Sequence, residues 1–168
     1  MIKLLVLDVD GTMTDGGIYY DATGNELKKF AVRDGAGILL ARAAGIEVLI
    51  CTGRACEALA HRARDLHIKY LYQDVQDKAA FLKQFLAEHN LQKEEVAYCG
   101  DDLNDLAAME LCGFAACPAD AVQAVRAHVD YICPQKGGQG AVRGVVDQLL
   151  RREGRWQQAA HTAFGTDV

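Results

Sequence analysis

The chain of 168 residues is 51% hydrophobic and 24% charged, and 18 basic against 23 acidic residues give a net charge of −5. That length suits one domain with a substantial core, and basic residues scattered without a run or an aromatic-studded stripe argue against a nucleic-acid partner. No segment is apolar for long enough to cross a bilayer or act as a signal peptide, and six cysteines without a CxxC pair point to buried thiols in a reducing cytoplasm rather than to zinc.

The first predicted strand, "IKLLVLD", covers residues 2–8 and runs straight into the acids Asp8 and Asp10. Where a crossover helix is expected next, residues 17–32 carry two short β-prone runs around "DATGN", which reads as a hairpin. A hairpin this small is marginal alone and needs something to pack against, such as another subunit. Further strands are expected at "GIEVLICTG", "IKYLYQ", "VAYCGDD", "GFAACP" and "VDYIC". Helices are expected at "RACEALAHRARDL", "KAAFLKQFLAEHN" and "LNDLAAMEL". The clearest helix is the last, where Val142, Val145, Val146, Leu149 and Leu150 fall on one face. Alternating strands and helices predict an α/β fold with a doubly wound, mostly parallel sheet. One domain spans 1–154, and 155–168 reads as a polar tail.

In an open α/β sheet, ligands sit beyond the carboxyl ends of the strands. Strand one ends there in Asp8-Val9-Asp10, the next in Thr52-Gly53-Arg54, and the third is followed by Lys78. The fourth ends in Gly100-Asp101-Asp102, with Asp105 close behind. These groups fit phosphoryl transfer from an ester. One carboxylate can attack phosphorus and form an aspartyl phosphate, and a second can protonate the departing alcohol and later activate water. Acids facing a dianionic phosphate call for a hard cation, with Mg²⁺ the natural choice, and Lys78 and Thr52 can hold the equatorial oxygens. A lone DxD at a strand end is more often a solvated turn. Four such features in order, each after a predicted strand, are not.

Those residues resemble the haloacid dehalogenase superfamily: "DVDGT" matches its first motif, "TGR" the second, Lys78 the third and "GDDLND" the fourth. The resemblance implies a Rossmann-like core with Asp8 as nucleophile and Asp10 as general acid/base. It implies Mg²⁺ held by Asp8, the Asp10 main-chain carbonyl and Asp101, with Asp102 and Asp105 in support. Thr52, Gly53 and Lys78 would bind the phosphoryl group. Only 41 residues lie between Asp10 and Thr52, which leaves no room for a cap domain. The chain is therefore similar to the capless subclass, cytoplasmic phosphatases of keto-deoxy sugar acid phosphates. "TGRACEALAHRARDL", "YLYQDVQDK" and "GGQGAVR" extend the likeness to about residue 154.

From the subclass follow a homotetramer with the hairpins at its centre, a sugar pocket lined by Val32, Arg33, Asp34 and Gly35, and substrate contacts from Arg54 and Arg62. The loop around Gly137, Gly138 and Gly140 and the tail would cover an active site. Arg54 favours an eight-carbon sugar acid 8-phosphate, as used in lipopolysaccharide precursor synthesis, over a nine-carbon 9-phosphate. Leu39 and Gln139 depart from the subclass pattern, with Arg42 a candidate to compensate for the first. The five histidines show no ligand spacing. A phosphate-storing receiver domain has no use for Asp10, a non-catalytic assembly domain has no reason to keep every acid, and a phosphomutase usually excludes water with a cap.

Overall fold

A computed structural model describes residues 1–167. Strand β1 (Leu4–Leu7) lies at the centre of a six-stranded sheet with β4 (Glu47–Cys51), β5 (Tyr70–Tyr72), β6 (Val96–Cys99), β7 (Phe114–Cys117) and β8 (Tyr131–Ile132). The order is β5-β4-β1-β6-β7-β8 and every pairing is parallel. The chain builds outward from β1 through β4 and β5, then returns to β1's other side to begin β6. The switch in direction therefore falls between β1 and β6, where a crevice opens above the strand tips.

Apolar runs form these strands because both faces are covered. Leu4 and Val6 of β1 join Leu49, Cys51, Val96 and Tyr98 under α3 (Lys78–Glu88), α4 (Leu103–Met109) and α5 (Gln123–Arg126). Leu5 and Leu7 join Val48, Ile50, Ala97 and Cys99 under α1 (Val32–Ala43), α2 (Glu57–Asp65) and α6 (Ala141–Arg152). Strand period sorts alternate side chains into two cores, which is why the buried stretches "LLVL" and "VLIC" carry no polar side chain. Helix α1 was not among the predicted elements, because Gly35 and Gly37 break its apolar pattern. Gly37 serves close packing on α6: a Cβ there would sit 2.8 Å from the Arg143 Cα.

The predicted hairpin forms from β2 (Tyr19–Tyr20) and β3 (Glu26–Leu27), antiparallel and separate from the main sheet. Asp21 closes its turn, Oδ1 accepting from the amides of Thr23 at 2.8 Å and Asn25 at 3.0 Å. Among the described residues, no second folded unit stands over the strand tips.

The segment after 154, read from its polarity as a tail, instead carries helix α7 (Trp156–Phe164). Ala159 and Ala160 are buried in the core shared with α1 and α6. Trp156 Nε1 donates to Asp147 at 2.7 Å, and Arg155 donates to the carbonyls of Ile2 and Ala44. Ile2 lies at the opposite end of β1 from Asp8, so through Phe164 this segment does not cover the chain's own strand tips. Two small residues flanked by polar ones gave too weak a stripe to be read from sequence. No helix among the described residues is long and apolar enough to cross a membrane. Ala160→Asp would place an unpartnered carboxylate in this seam and is expected to cost about 3 kcal/mol or more. Urea unfolding followed by circular dichroism measures it, and a loss below about 0.5 kcal/mol would detach α7 from the core.

Candidate active site

The loop after β1 turns back on itself immediately. The Val9 carbonyl accepts from the amides of Thr12, Met13 and Thr14 at 3.1, 2.8 and 3.1 Å. Gly11 turns with φ +90°, and a Cβ there would strike the Asp101 carboxylate. Glycine is thus required twice, for the backbone and for the neighbouring acid. Parallel register puts Asp8 between the ends of β4 and β6, its amide donating to the Cys99 carbonyl at 3.0 Å.

Lys78 opens α3, with Asp77 as its N-cap accepting from the Ala80 amide at 2.9 Å. From there Lys78 Nζ reaches Asp8 Oδ1 at 2.6 Å and Asp105 Oδ1 at 2.7 Å. Asp105 Oδ1 also accepts from the Tyr98 hydroxyl at 2.8 Å, and its Oδ2 accepts the amides of Asp101 at 3.0 Å and Asp102 at 3.3 Å. Asp102 is the N-cap of α4 and shares a capping box with Asp105. With both oxygens engaged, Asp105 is a brace. Asp101 lies over Gly11 and accepts from Thr12 Oγ1 at 3.3 Å.

Asp8, Asp101 and Asp105 each offer a carboxylate oxygen, all within 4.8 Å of one another. Burial raises the pKa of Asp8, Asp105 adds to it, and Lys78 opposes both. Burial and then Asp8's charge raise Asp101. For Lys78, burial alone would lower the pKa, but the two carboxylates outweigh it and hold the ammonium above its ordinary value. Three acids around one lysine leave excess negative charge. A hard divalent cation fits that donor set: Asp8 keeps Oδ2 and Asp101 its carboxylate, while Asp105 is already committed.

Asp10 lies at the rim, its side chain 26% exposed, with Oδ1 2.5 Å from Lys28 Nζ. Lys28 also contacts Glu26 at 3.0 Å, and Glu26 contacts Arg54 at 3.0 Å. Thr52 is buried: its amide donates to the Tyr72 carbonyl and its own carbonyl accepts from Val75, both at 3.0 Å. Gly53's carbonyl accepts from Gln76 Nε2 at 3.0 Å. These bonds stretch the β4–α2 loop across the tip beside Asp8.

The residues expected to line a sugar pocket divide. Val32 is 85% exposed, and Arg33 is also exposed. Asp34 is buried beneath them, with Oδ1 accepting from the Arg143 amide at 3.0 Å at the start of α6. Burial raises its pKa, against the amides of Arg143, Gly140 and Val142. Arg62 lies on the same underside, 3.5 Å from the Ala31 carbonyl and within 2.6 Å of any Cβ on Gly35. Arg42 donates to the Leu66 carbonyl at 3.0 Å, at α1's far end, so it does not stand in for a cation at exposed Leu39. Gln139 is exposed beside Arg33 and Arg143 along a shallow depression. The loop before α6 backs the β1 loop, Gly138 N donating to the Thr12 carbonyl at 3.2 Å.

Glu26, Lys28 and Tyr98 were not singled out in the sequence. Tyr98 was detectable as the one hydroxyl in the apolar run "VAYC". Glu26 lies on β3 and Lys28 just after it, but which side of the hairpin meets Asp10 depends on how the hairpin folds over.

The haloacid dehalogenase-like hydrolase family matches residues 71–144. A 3-deoxy-D-manno-octulosonate 8-phosphate phosphatase of Escherichia coli K12 is 43% identical over 158 residues, covering 94% of this chain and 84% of that protein. The crystal structure of the Yersinia pestis phosphatase of that name superposes with a TM-score of 0.89 at 43% identity, covering 92% of this chain and 84% of that one. The Moraxella catarrhalis phosphatase, solved with magnesium, phosphate and KDO, gives a TM-score of 0.86 at 38% identity, over 89% of this chain and 86% of that one.

Raised pKa values on Asp8 and Asp101 mean that the folded, metal-free protein holds protons the unfolded chain has released. The stability this confers is present below the ordinary carboxylate value of 3.8 and is lost as pH rises toward the raised values. In a chelator, melting temperature is therefore expected to suffer from ionising these acids as pH rises from 3.8 toward about 8. Mg²⁺, which binds the ionised form, should raise it more at the higher pH. A Mg²⁺ increment as large at the lower pH would remove the cation from this cluster.

Proposed function

Since the chain belongs to the 3-deoxy-D-manno-octulosonate 8-phosphate phosphatase family, haloacid dehalogenase-like hydrolases by fold, we propose that Asp8 and Asp10 carry out that hydrolysis here. The enzyme is a Mg²⁺-dependent phosphomonoesterase, splitting 3-deoxy-D-manno-octulosonate 8-phosphate into the sugar acid and phosphate. The observation that carries the assignment of Asp8 is its contact with Lys78 at 2.6 Å, with the Asp101 carboxylate within 4.8 Å.

Lys78 contacts Asp8 Oδ1 at 2.6 Å and keeps the carboxylate from rotating, which fixes the nucleophile at the strand tip for attack on phosphorus. As the Oδ–P bond forms, the P–O bond to the sugar breaks, and Asp10 supplies the proton that the departing C8 oxygen requires. Asp10, then ionised, takes a proton from water as that water attacks the aspartyl phosphate. Inorganic phosphate leaves and Asp8 is restored. The Lys78 ammonium, the Thr52 hydroxyl and the Gly53 amide are the groups assigned to the phosphoryl oxygens. When bound by Asp8, the Asp10 carbonyl and Asp101, Mg²⁺ supplies the charge that lets an anionic nucleophile approach an anionic ester. Asp102 and Asp105 hold the loop that presents Asp101.

Arg54, 42% exposed at the rim, is the residue assigned to the sugar's carboxylate, with Val32 and Arg33 on the open side. Asp34, Gly35 and Arg62 support that wall from beneath. A nine-carbon sugar acid 9-phosphate is the alternative substrate. Ile18, Tyr19, Tyr20 and Leu27 are exposed on or beside the hairpin at 51, 43, 62 and 49%. An apolar patch of this kind supports a homotetramer built on hairpin contacts, with a neighbour's hairpin closing the open site. The six cysteines are free, and five are buried, which suits the reducing cytoplasm proposed as its compartment.

Phosphate release from the 8-phosphate is expected to stop in Asp8→Asn with the fold intact, and kcat/KM in Asp10→Asn to fall by roughly 10²–10⁴. Near-normal turnover in Asp8→Asn would exclude the covalent route. Tyr20→Glu is expected to reduce the particle mass measured by light scattering, and an unchanged mass would move the interface away from the hairpin.

A further inference from the structure

Lys28 has an environment that its position does not explain. It follows β3 on a two-stranded hairpin whose Tyr19, Tyr20 and Leu27 face outward, yet its own side chain is only 2% exposed. Burying an ammonium is unfavourable unless charges meet it. Here two do, Asp10 at 2.5 Å and Glu26 at 3.0 Å. Glu26 is matched in turn by Arg54 at 3.0 Å, and Arg54 Nε stands 4.0 Å from the second Asp10 oxygen. Charges alternate around a closed ring of Asp10, Lys28, Glu26 and Arg54.

The hairpin does not need this lysine to form. Its turn is closed by Asp21 and its strands pair through their backbones. What the contact does constrain is Asp10. The β1 loop fixes the Asp10 backbone, but a side chain 26% exposed at the rim is otherwise free to change rotamer. With Lys28 on Oδ1, that oxygen is tied to the hairpin, and Oδ2 is the one left toward the rim, 4.0 Å from Arg54 Nε.

We propose that Lys28 is a positioning residue that holds the Asp10 carboxyl group in line with the leaving-group oxygen, neutralised on its other side by Glu26. The hairpin thereby becomes part of the proton-transfer apparatus of its own subunit. This rests on the assignment of Asp10 as acid/base in the hydrolysis above. Arg54 takes Glu26 as its short contact at 3.0 Å and stands 4.0 Å from Asp10, with its side chain 42% exposed at the rim.

The test compares two esters. Cleaving the sugar 8-phosphate expels an alkoxide that needs Asp10's proton, whereas p-nitrophenyl phosphate expels a stable phenolate that does not. With Mg²⁺ present, Lys28→Met is expected to lower kcat/KM on the sugar phosphate by roughly 10²-fold, the cost of an ångström-scale misplacement. On p-nitrophenyl phosphate the loss should stay within about threefold, and Lys28→Arg should recover part of the sugar-phosphate rate. Lys28→Gln, which keeps a donor to Asp10, is measured in the same way in case the methionine variant does not fold. An equal loss on both esters, or no loss on the sugar phosphate, in the folded neutral variant overturns the proposal. Asp10→Asn run alongside separates the two claims. If it shows no difference between the esters, the acid/base assignment fails. If it shows the difference and the Lys28 variants do not, only the positioning role fails.

Discussion

Lys78 holds Asp8 and Asp105 at once, at 2.6 and 2.7 Å, and the crevice is arranged around the need to keep that buried ammonium partnered. Neither acid belongs to its helix: Asp8 comes from the tip of β1 and Asp105 from the first turn of α4. A lysine taken out of water without them would be strongly unfavourable, and so would either carboxylate without the lysine. The contact therefore pins three separate stretches of chain to one another. Tyr98 and the amides of Asp101 and Asp102 then fill the remaining acceptor positions on Asp105, which sets the loop carrying Asp101. Charge balance stops one cation short. Asp8 and Asp101 are left with raised pKa values, so the same deficit that weakens the metal-free fold suits the cluster to a divalent cation.

A second set of charges works at the rim under different rules. The ring of Asp10, Lys28, Glu26 and Arg54 is nearer to water, and only Lys28 within it is fully covered. Its members come from the β1 loop, the hairpin and the β4–α2 loop. The hairpin meets Asp10 through Lys28 on one face and presents an exposed apolar surface on the other. A single short insertion thus carries both the proposed positioning of Asp10 within the subunit and the proposed contact between subunits.

The loop before α6 and the N-terminus of α1 show how polar groups that look like pocket walls can be structural. Asp34 stands in a segment expected to face the sugar, but its carboxylate meets the backbone amide of Arg143 and is buried. Arg62 lies under the same segment with its Nε buried and without a hydrogen-bond partner among the described residues. Both hold up the wall on which Val32 and Arg33 are displayed. Sequence spacing could place these residues near one another, but which of them face solvent depends on α1 packing against α6 through Gly37.

Much of the fold and chemistry was legible before any coordinates. Runs such as "LLVL" and "VAYC" specify strands covered on both faces, because alternate residues must all be apolar. Acids, hydroxyl and lysine at successive strand ends must converge once those strands lie parallel, because side chains at equivalent ends of one sheet share a rim. The short interval between Asp10 and Thr52 excluded a cap by length alone. The tertiary structure decided what depends on orientation. It turned the polar segment after 154 into helix α7, since two buried alanines suffice when α1 and α6 leave a shallow seam. It gave Asp105 its bracing contacts, since its two oxygens meet Lys78, the Tyr98 hydroxyl and the amides of Asp101 and Asp102 only once these stretches pack together. It brought Lys28 to Asp10, since a two-residue strand can present either face and only packing against the β1 loop selects between them.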